Sequence, residues 1–408
     1  MRARTALLAG LLLLRPSPAA SQAWPEGPVT LAGGRVVLGG EATATVAPED
    51  AGQFNQTDYE RSALQLLRIG LTASARPFDR ITFVTELRAE GDTAGGAWTA
   101  LPFAAYVRFR PWKDRTFDIQ AGRIPPVFGA AGRRIYATDN VLVGYPLAWQ
   151  YLTVLRSDAL PADTDELIAA RGHGWKPWYS VGSSYGRGVP LATAFRYDTG
   201  VEARLGDERS PFSVSAALTA GTLSNPGARD SNGGPQVSAR LEARPAIGLV
   251  LGGSWASGRF LADGVRRTLE AAGGDSDDRQ QTWGADAEYA FGHFLARAEL
   301  VHARWRLPSM SGPSLAGPLT ATGLSTEARY RVAPGLTLGA RVDRLAFSRV
   351  QGTYDTLPWD APVTRVEAGI AWMVSRWTIV RLSVQHNARE RGPRRTSTLP
   401  AAQVTLWF

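Results

Sequence analysis

Ala401-Ala402-Gln403-Val404-Thr405-Leu406-Trp407-Phe408 ends the sequence, and its alternation decides how the rest is read. Ala402, Val404, Leu406 and Phe408 share one face of an extended strand, and Gln403, Thr405 and Trp407 share the other. A soluble domain has little reason to end inside an apolar strand, because unanchored termini fray. A closed membrane barrel has one, because its last strand pairs with its first and leaves no edge in lipid.

The other end of the chain agrees. Arg2 and Arg4 precede the apolar run from Ala6 to Leu14, Pro16 and Pro18 break it, and Ser21-Gln22-Ala23 has the small-x-small form of a cleavage site. This predicts a secretory signal over residues 1–23, too short to span a bilayer. Residues 24–408 are then one transmembrane β-barrel domain. Charges and glycines interrupt every later apolar run, so no helical membrane span is expected. The hydrophobic fraction of 44% and mean hydropathy of -0.15 do not oppose a barrel, because only alternate residues of its strands face lipid. The absence of cysteine excludes a disulfide framework and a thiolate metal site. The formal charge is +8, and removal of Arg2, Arg4 and Arg15 with the signal brings it near +5. Charges of both signs alternate without a basic block, which argues against nucleic acid as a partner.

From Arg35 onward the period is two. Leu67, Ile69, Leu71 and Ala73 alternate with Arg68, Gly70, Thr72 and Ser74. Val366, Ala368, Ile370 and Trp372 alternate with Arg365 and Glu367. Strands are predicted near 34–47, 63–75, 80–90, 101–110, 116–124, 198–206, 211–222, 235–244, 248–258, 281–291, 293–304, 322–332, 336–346, 363–374, 377–388 and 399–408. That is an all-β antiparallel barrel of about sixteen strands, an even number. The connections alternate short and long, as periplasmic turns and outer loops do. Phe78, Phe109, Trp112, Phe117, Phe212, Phe291, Phe294 and Trp377 gather beside the short turns, the pattern of an interfacial girdle.

Parity assigns the lumen. An Arg facing the bilayer midplane costs about 2–4 kcal/mol, so the charged set faces inward. The predicted pore-lining residues are Arg68, Arg88, Arg108, Arg110, Arg204, Arg240, Arg297, Arg329, Arg341, Arg365 and Arg381, with Glu86, Glu202, Asp286, Glu288, Glu327, Asp343 and Glu367. Glu242, Arg244 and Glu299 have the same parity. The segment 124–197, after the fifth strand, is too long for a plain loop and carries many aromatic rings. It is expected to fold into the barrel as a constriction, with Arg133, Arg134, Asp139, Asp163, Asp165 and Arg171 as its charged residues. The bland alternatives are an outer cap or a subunit contact.

The closing strand resembles the C-terminal strand of bacterial outer-membrane proteins, where a terminal Phe is read by the barrel-assembly machinery. The chain as a whole resembles outer-membrane porins, and more narrowly the phosphate-selective porin O/P type. Asp118-Ile119-Gln120-Ala121-Gly122-Arg123-Ile124-Pro125-Pro126-Val127-Phe128-Gly129 is similar to the Gly-Arg/Lys-x-x-Pro-x-Phe-Gly stretch leading into a long loop in that family. The resemblance implies a location in the outer membrane of a Gram-negative-type bacterium, contact with lipid and lipopolysaccharide, and a homotrimer. It does not carry phosphate selectivity, because Lys113 and Lys176 are the only lysines and the family uses a lysine cluster. The expected function is passive diffusion of small hydrophilic solutes or ions, with a mild anion preference from the inward arginine surplus. The alternative is a closed barrel with a structural or adhesive role through its outer loops. No catalytic residue, metal site or cofactor is expected. The pairing of His302 with Ser383 or Asp343 has no nucleophile motif around Ser383. Asp275 to Asp278 reads as a solvated acidic loop rather than a Ca²⁺ site.

Overall fold

The computed structural model describes residues 27–408, except 57–61, 94, 97, 114, 184–185, 272–276 and 309–316. The expected signal peptide lies outside the described residues, as does Asp275. Sixteen antiparallel strands form the wall: β1 (Val36–Val46), β2 (Leu66–Phe78), β3 (Ile81–Asp92), β4 (Thr99–Phe109), β5 (Phe117–Ile124), β6 (Asp198–Leu205), β7 (Phe212–Thr219) and β8 (Gln236–Ala246). The others are β9 (Leu249–Arg259), β10 (Arg279–Phe291), β11 (Phe294–Trp305), β12 (Leu319–Ala333), β13 (Leu336–Phe347), β14 (Val363–Ser375), β15 (Thr378–Arg389) and β16 (Thr396–Trp407). Each pairs with its chain neighbour, and β5 pairs with β6 across the long segment between them.

β16 closes on β1, with partners running from Glu41↔Trp407 to Val46↔Ala402. Beyond the last paired residue, Phe408 N–H donates to Gly40 O at 3.0 Å and Gly40 N–H to Phe408 O at 3.2 Å. Inside the seam the Thr43 and Thr405 hydroxyls meet at 3.0 Å. The terminal alternation therefore places its Thr inward and Val404 and Leu406 outward, and the cylinder has no free edge.

Outward residues form the apolar belt. Leu71, Val342, Val366 and Leu382 are about half exposed to whatever surrounds the barrel. Phe78, Phe212 and Phe291 project furthest at the short-turn end, joined by Phe109, Trp112 and Phe294. A closed wall with an apolar exterior and a rim of rings is what lipid requires of a strand-built protein. Among the described residues no helix is long and apolar enough to cross a membrane. Turns and loops alternate as expected, but the contrast fades at 93–98 and 390–395. There the strands run further outward than their apolar pattern, which ends earlier than their backbone pairing.

The largest apolar cluster is not in the wall but inside it. Phe128, Ile135, Leu147, Trp149, Tyr151, Leu155, Leu160, Leu167 and Tyr179 of the segment after β5 pack with Val301, Trp305, Leu345, Phe347 and Trp359. The segment carries two short helices, α1 (Leu147–Gln150) and α2 (Thr164–Ala169). Its first part docks where inward wall positions lack a side chain. A Cβ on Gly284 would stand 2.8 Å from Phe128 Cζ, one on Gly323 2.7 Å from Ala148 Cβ, and one on Gly339 2.9 Å from Val141 Cγ1. These glycines are spaces that the loop fills.

Candidate channel lumen

The loop enters from the end of β5 and is tied to the wall by its own backbone. Glu299 of β11 receives Ala130 N–H at 2.7 Å and Ala131 N–H at 3.3 Å on one oxygen, and the Trp149 indole N–H at 2.7 Å on the other. Glu367 of β14 receives Gly144 N–H at 2.9 Å. Arg381 of β15 donates to the Asn140 and Leu142 carbonyls at 3.1 and 2.9 Å. Arg365 donates to the Tyr145 and Phe54 carbonyls, both at 3.1 Å, and to Asn387 at 2.6 Å. On the far side the Tyr136 hydroxyl donates to Glu86 at 2.8 Å. Loop peptide groups that could not be left bare in the interior thus find charged wall partners.

These contacts divide the sequence-predicted residues into two sets. Arg68, Arg88, Arg341, Arg365 and Arg381 are buried, as are Glu86, Glu202, Asp343 and Glu367. Arg68 pairs with Glu90 at 2.7 Å, and Arg88 with Glu86 at 2.5 Å while its guanidinium lies 3.3 Å from the centre of the Phe103 ring. Arg341 joins Asp343, Glu367 and Glu327 at 3.0, 2.6 and 3.5 Å. All have lumen parity, yet Arg365, Arg381 and Glu367 hold loop backbone, while Arg68, Glu86 and Arg88 line a small cavity of about 180 Å³ with Tyr136 of the loop, because parity fixes a face and not what covers it.

The second set surrounds a cavity of about 500 Å³ between the loop and the wall from β6 to β13. Arg204, Arg240, Arg297, Arg329, Asp286, Glu288 and Glu327 line it, as does an edge of Arg341, and the loop contributes Arg133, Arg134 and Asp139. Arg240 holds Asp286 by two bonds at 2.6 and 2.9 Å. Arg297 and Arg134 both reach Glu288, at 2.6 and 2.8 Å. Arg133 is less well matched: its nearest carboxylate, Glu242, is 3.8 Å away, and its Nη2 has no hydrogen-bond partner. The cavity reaches Asp207 and Glu208 in the short turn after β6. Arg108 and Arg110 stand apart from it, each 3.9–4.0 Å from Asp118 and partly exposed.

Three of the six expected constriction residues are elsewhere. Asp163 caps α2 through Glu166 N–H at 2.8 Å, and Asp165 receives Thr353 N–H at 2.8 Å from an outer loop. Arg171 pairs with Glu390 of another outer loop at 3.2 Å. After α1 the segment therefore turns back and joins the cap. Asp360 pins this return through Gly172 N–H at 2.8 Å and Val154 N–H at 2.9 Å. Burial pushes its carboxyl up to about 6 against those two bonds. A second cavity, of about 310 Å³, lies on this outer side, with Asp158, Arg187 and Asn225 in its wall.

Trp149 and Phe195 line both cavities. Sequence parity reached Glu299 and Arg244 but did not single them out, and nothing in the pattern marks Phe195, which precedes β6 in an aperiodic stretch. His302 is not paired with Ser383 or Asp343. His302 faces outward and meets the Thr322 hydroxyl at 2.8 Å, whereas Asp343 and Ser383 are buried on the inner face. Asp277 pairs with Arg306 at 2.6 Å and Asp278 accepts from Leu261 N–H at 3.3 Å, so both have protein partners.

No family model matches this chain, and no curated protein matches it in sequence. Solved structures match its fold. OmpF of Salmonella typhi in complex with daunomycin is 14% identical, with a TM-score of 0.55 over 91% of this chain and 97% of that one. A loop L8 deletion mutant of OmpT, an outer membrane protein of Vibrio cholerae, is 11% identical, with a TM-score of 0.53 over 91% and 99%. The outer membrane channel DcaP of Acinetobacter baumannii is 10% identical, with a TM-score of 0.51 over 94% and 100%. At such identities the likeness is one of fold: a closed sixteen-strand antiparallel barrel of the porin kind.

Proposed function

We propose that this chain is a porin of a Gram-negative outer membrane, passing small hydrophilic solutes or ions by passive diffusion. The observation that carries the reading is the charged cavity of about 500 Å³ inside the wall, bounded by the inward loop and reaching the short-turn end. An interior kept polar and wide on one side of the loop is an energetic waste in a purely structural barrel. It suits a path that replaces part of an ion's hydration shell with fixed charges. The match to porin structures supports the same reading at the level of fold, and one of those structures is named a channel.

A mild anion preference follows from Arg133. The other cavity arginines are closely paired, whereas its Nη2 is unmatched and the Arg204 and Arg240 guanidinium groups are its cationic neighbours. Lipid and lipopolysaccharide around the apolar belt, recognition of the C-terminal strand by the barrel-assembly machinery, and a homotrimer complete the proposal. The test is single-channel conductance of the refolded chain in a planar bilayer under a salt gradient. Stable steps with an anion-selective reversal potential are expected. A heat-modifiable, folded barrel that never conducts overturns the channel reading and leaves the structural alternative.

A further inference from the structure

The inner and outer cavities have two lining residues in common, Trp149 and Phe195, and the two rings are held very differently. Trp149 is buried, its indole N–H is fixed on Glu299 at 2.7 Å, and its ring lies against Gly129 and Gly132 so closely that a Cβ on Gly132 would be 2.7 Å from it. Phe195 is half-buried, and the ring contact it makes is edge-on to Tyr145, with centroids 4.8 Å apart at 90°. Its backbone is anchored, with its N–H donating to Thr193 Oγ1 at 3.3 Å and Thr193 N–H donating to Leu223 O at 2.8 Å. The side chain has room that its backbone does not.

We infer that Phe195 sets the width of the conduction path, forming with the immobile Trp149 an aromatic neck between the two chambers. This rests on the channel reading above. Both chambers offer charged partners, Arg133 and Glu288 within and Asp158 and Arg187 without. The neck offers two rings. An ion crossing it leaves polar coordination for an apolar aperture, so resistance concentrates there and small changes of ring position gate by excluding water. Selectivity is then set beneath the neck, at Arg133, and throughput at the neck itself.

The chain has no cysteine, so Phe195→Cys introduces a single thiol. Single-channel conductance is compared for the wild type, Phe195→Ala, Phe195→Trp and Phe195→Cys, with Ile247→Ala on an exposed short turn as a control. The expected result is a rise of about twofold or more for Phe195→Ala, since the narrowest section dominates the resistance, and a fall for Phe195→Trp. Phe195→Cys is expected to conduct more than the wild type until a bulky water-soluble thiol reagent returns the current toward it. A silent wild type that Phe195→Ala opens supports the same proposal. A conducting wild type with unchanged Phe195→Ala and Phe195→Trp, or a Phe195→Cys current untouched by the reagent, overturns the neck and leaves the channel reading standing. Folded wild type and Phe195→Ala that are both silent overturn the two together.

Discussion

Glu299 offers the sharpest test of how the loop is held. One carboxylate oxygen takes the Ala130 and Ala131 amides and the other takes the Trp149 indole. A carboxamide has a single acceptor oxygen, so Glu299→Gln satisfies one side and turns an N–H against the donor on the other. Losing one bond to a charged group costs about 1.5–3 kcal/mol. At about 1.4 kcal/mol per decade, that is about a 10- to 100-fold rise in the population with this stretch detached. Glu299→Ala strands all three donors and costs more, so the order is wild type, Gln, Ala. Hydrogen exchange of the 128–134 peptide reads the effect, with 140–146 as an internal control because Arg381 and Glu367 hold that stretch independently. Wild-type exchange across 128–134 in a folded Glu299→Ala barrel would show that the wall carboxylate does not anchor the loop.

Three further outcomes follow from the same geometry. Arg133→Glu reverses the least-matched charge in the inner cavity, and its reversal potential in a salt gradient is expected to move toward cations; no movement would remove Arg133 from the selectivity argument. Val342→Arg puts a charge on the outward face between β12 and β14 and costs about 2–4 kcal/mol, seen as a lower yield of heat-modifiable barrel, whereas Val342→Leu folds normally. Asp360 predicts a pH dependence of the cap: its carboxyl is raised from 3.8 to about 6, so between those values the folded state binds more protons than the unfolded one, and stability rises as pH falls. The displacement corresponds to at most about 3 kcal/mol, and exchange protection of 152–172 is expected to increase from pH 7 to pH 4. Protection that falls over that range contradicts the assignment.

The wall was legible because its physics is local. Period two fixes which face each residue takes, and all sixteen strands lie where alternation put them. The terminal Phe408 meets Gly40 as a closing strand must. The lumen was legible only in part. Arg365 and Arg204 have the same parity and the same chemistry, yet one is fully buried under loop carbonyls and the other lines water-accessible space. That difference depends on where 125–150 lies, and this stretch has no period to read. In the sequence Asp163, Asp165 and Arg171 read like Arg133 for a related reason: nothing in the composition marks the point after α1 where the chain turns outward.

A signal for the docking site was nevertheless present. Gly284, Gly323, Gly339 and Gly369 occupy inward positions on β10, β12, β13 and β14, in strands whose other inward residues are mostly polar or large. A glycine in mid-strand gives up packing and backbone stability, and four on one arc of a wall imply that something else fills the space. Phe128, Ala148, Val141 and Leu142 do so. The loop leans on the glycine-bearing strands and covers the charges of β13 to β15. It leaves open a sector from β6 to β13, in which Arg204, Arg240 and Arg297 line the cavity. Which arginines line the cavity is thus set by how the loop lies against the wall rather than by any property of the arginines.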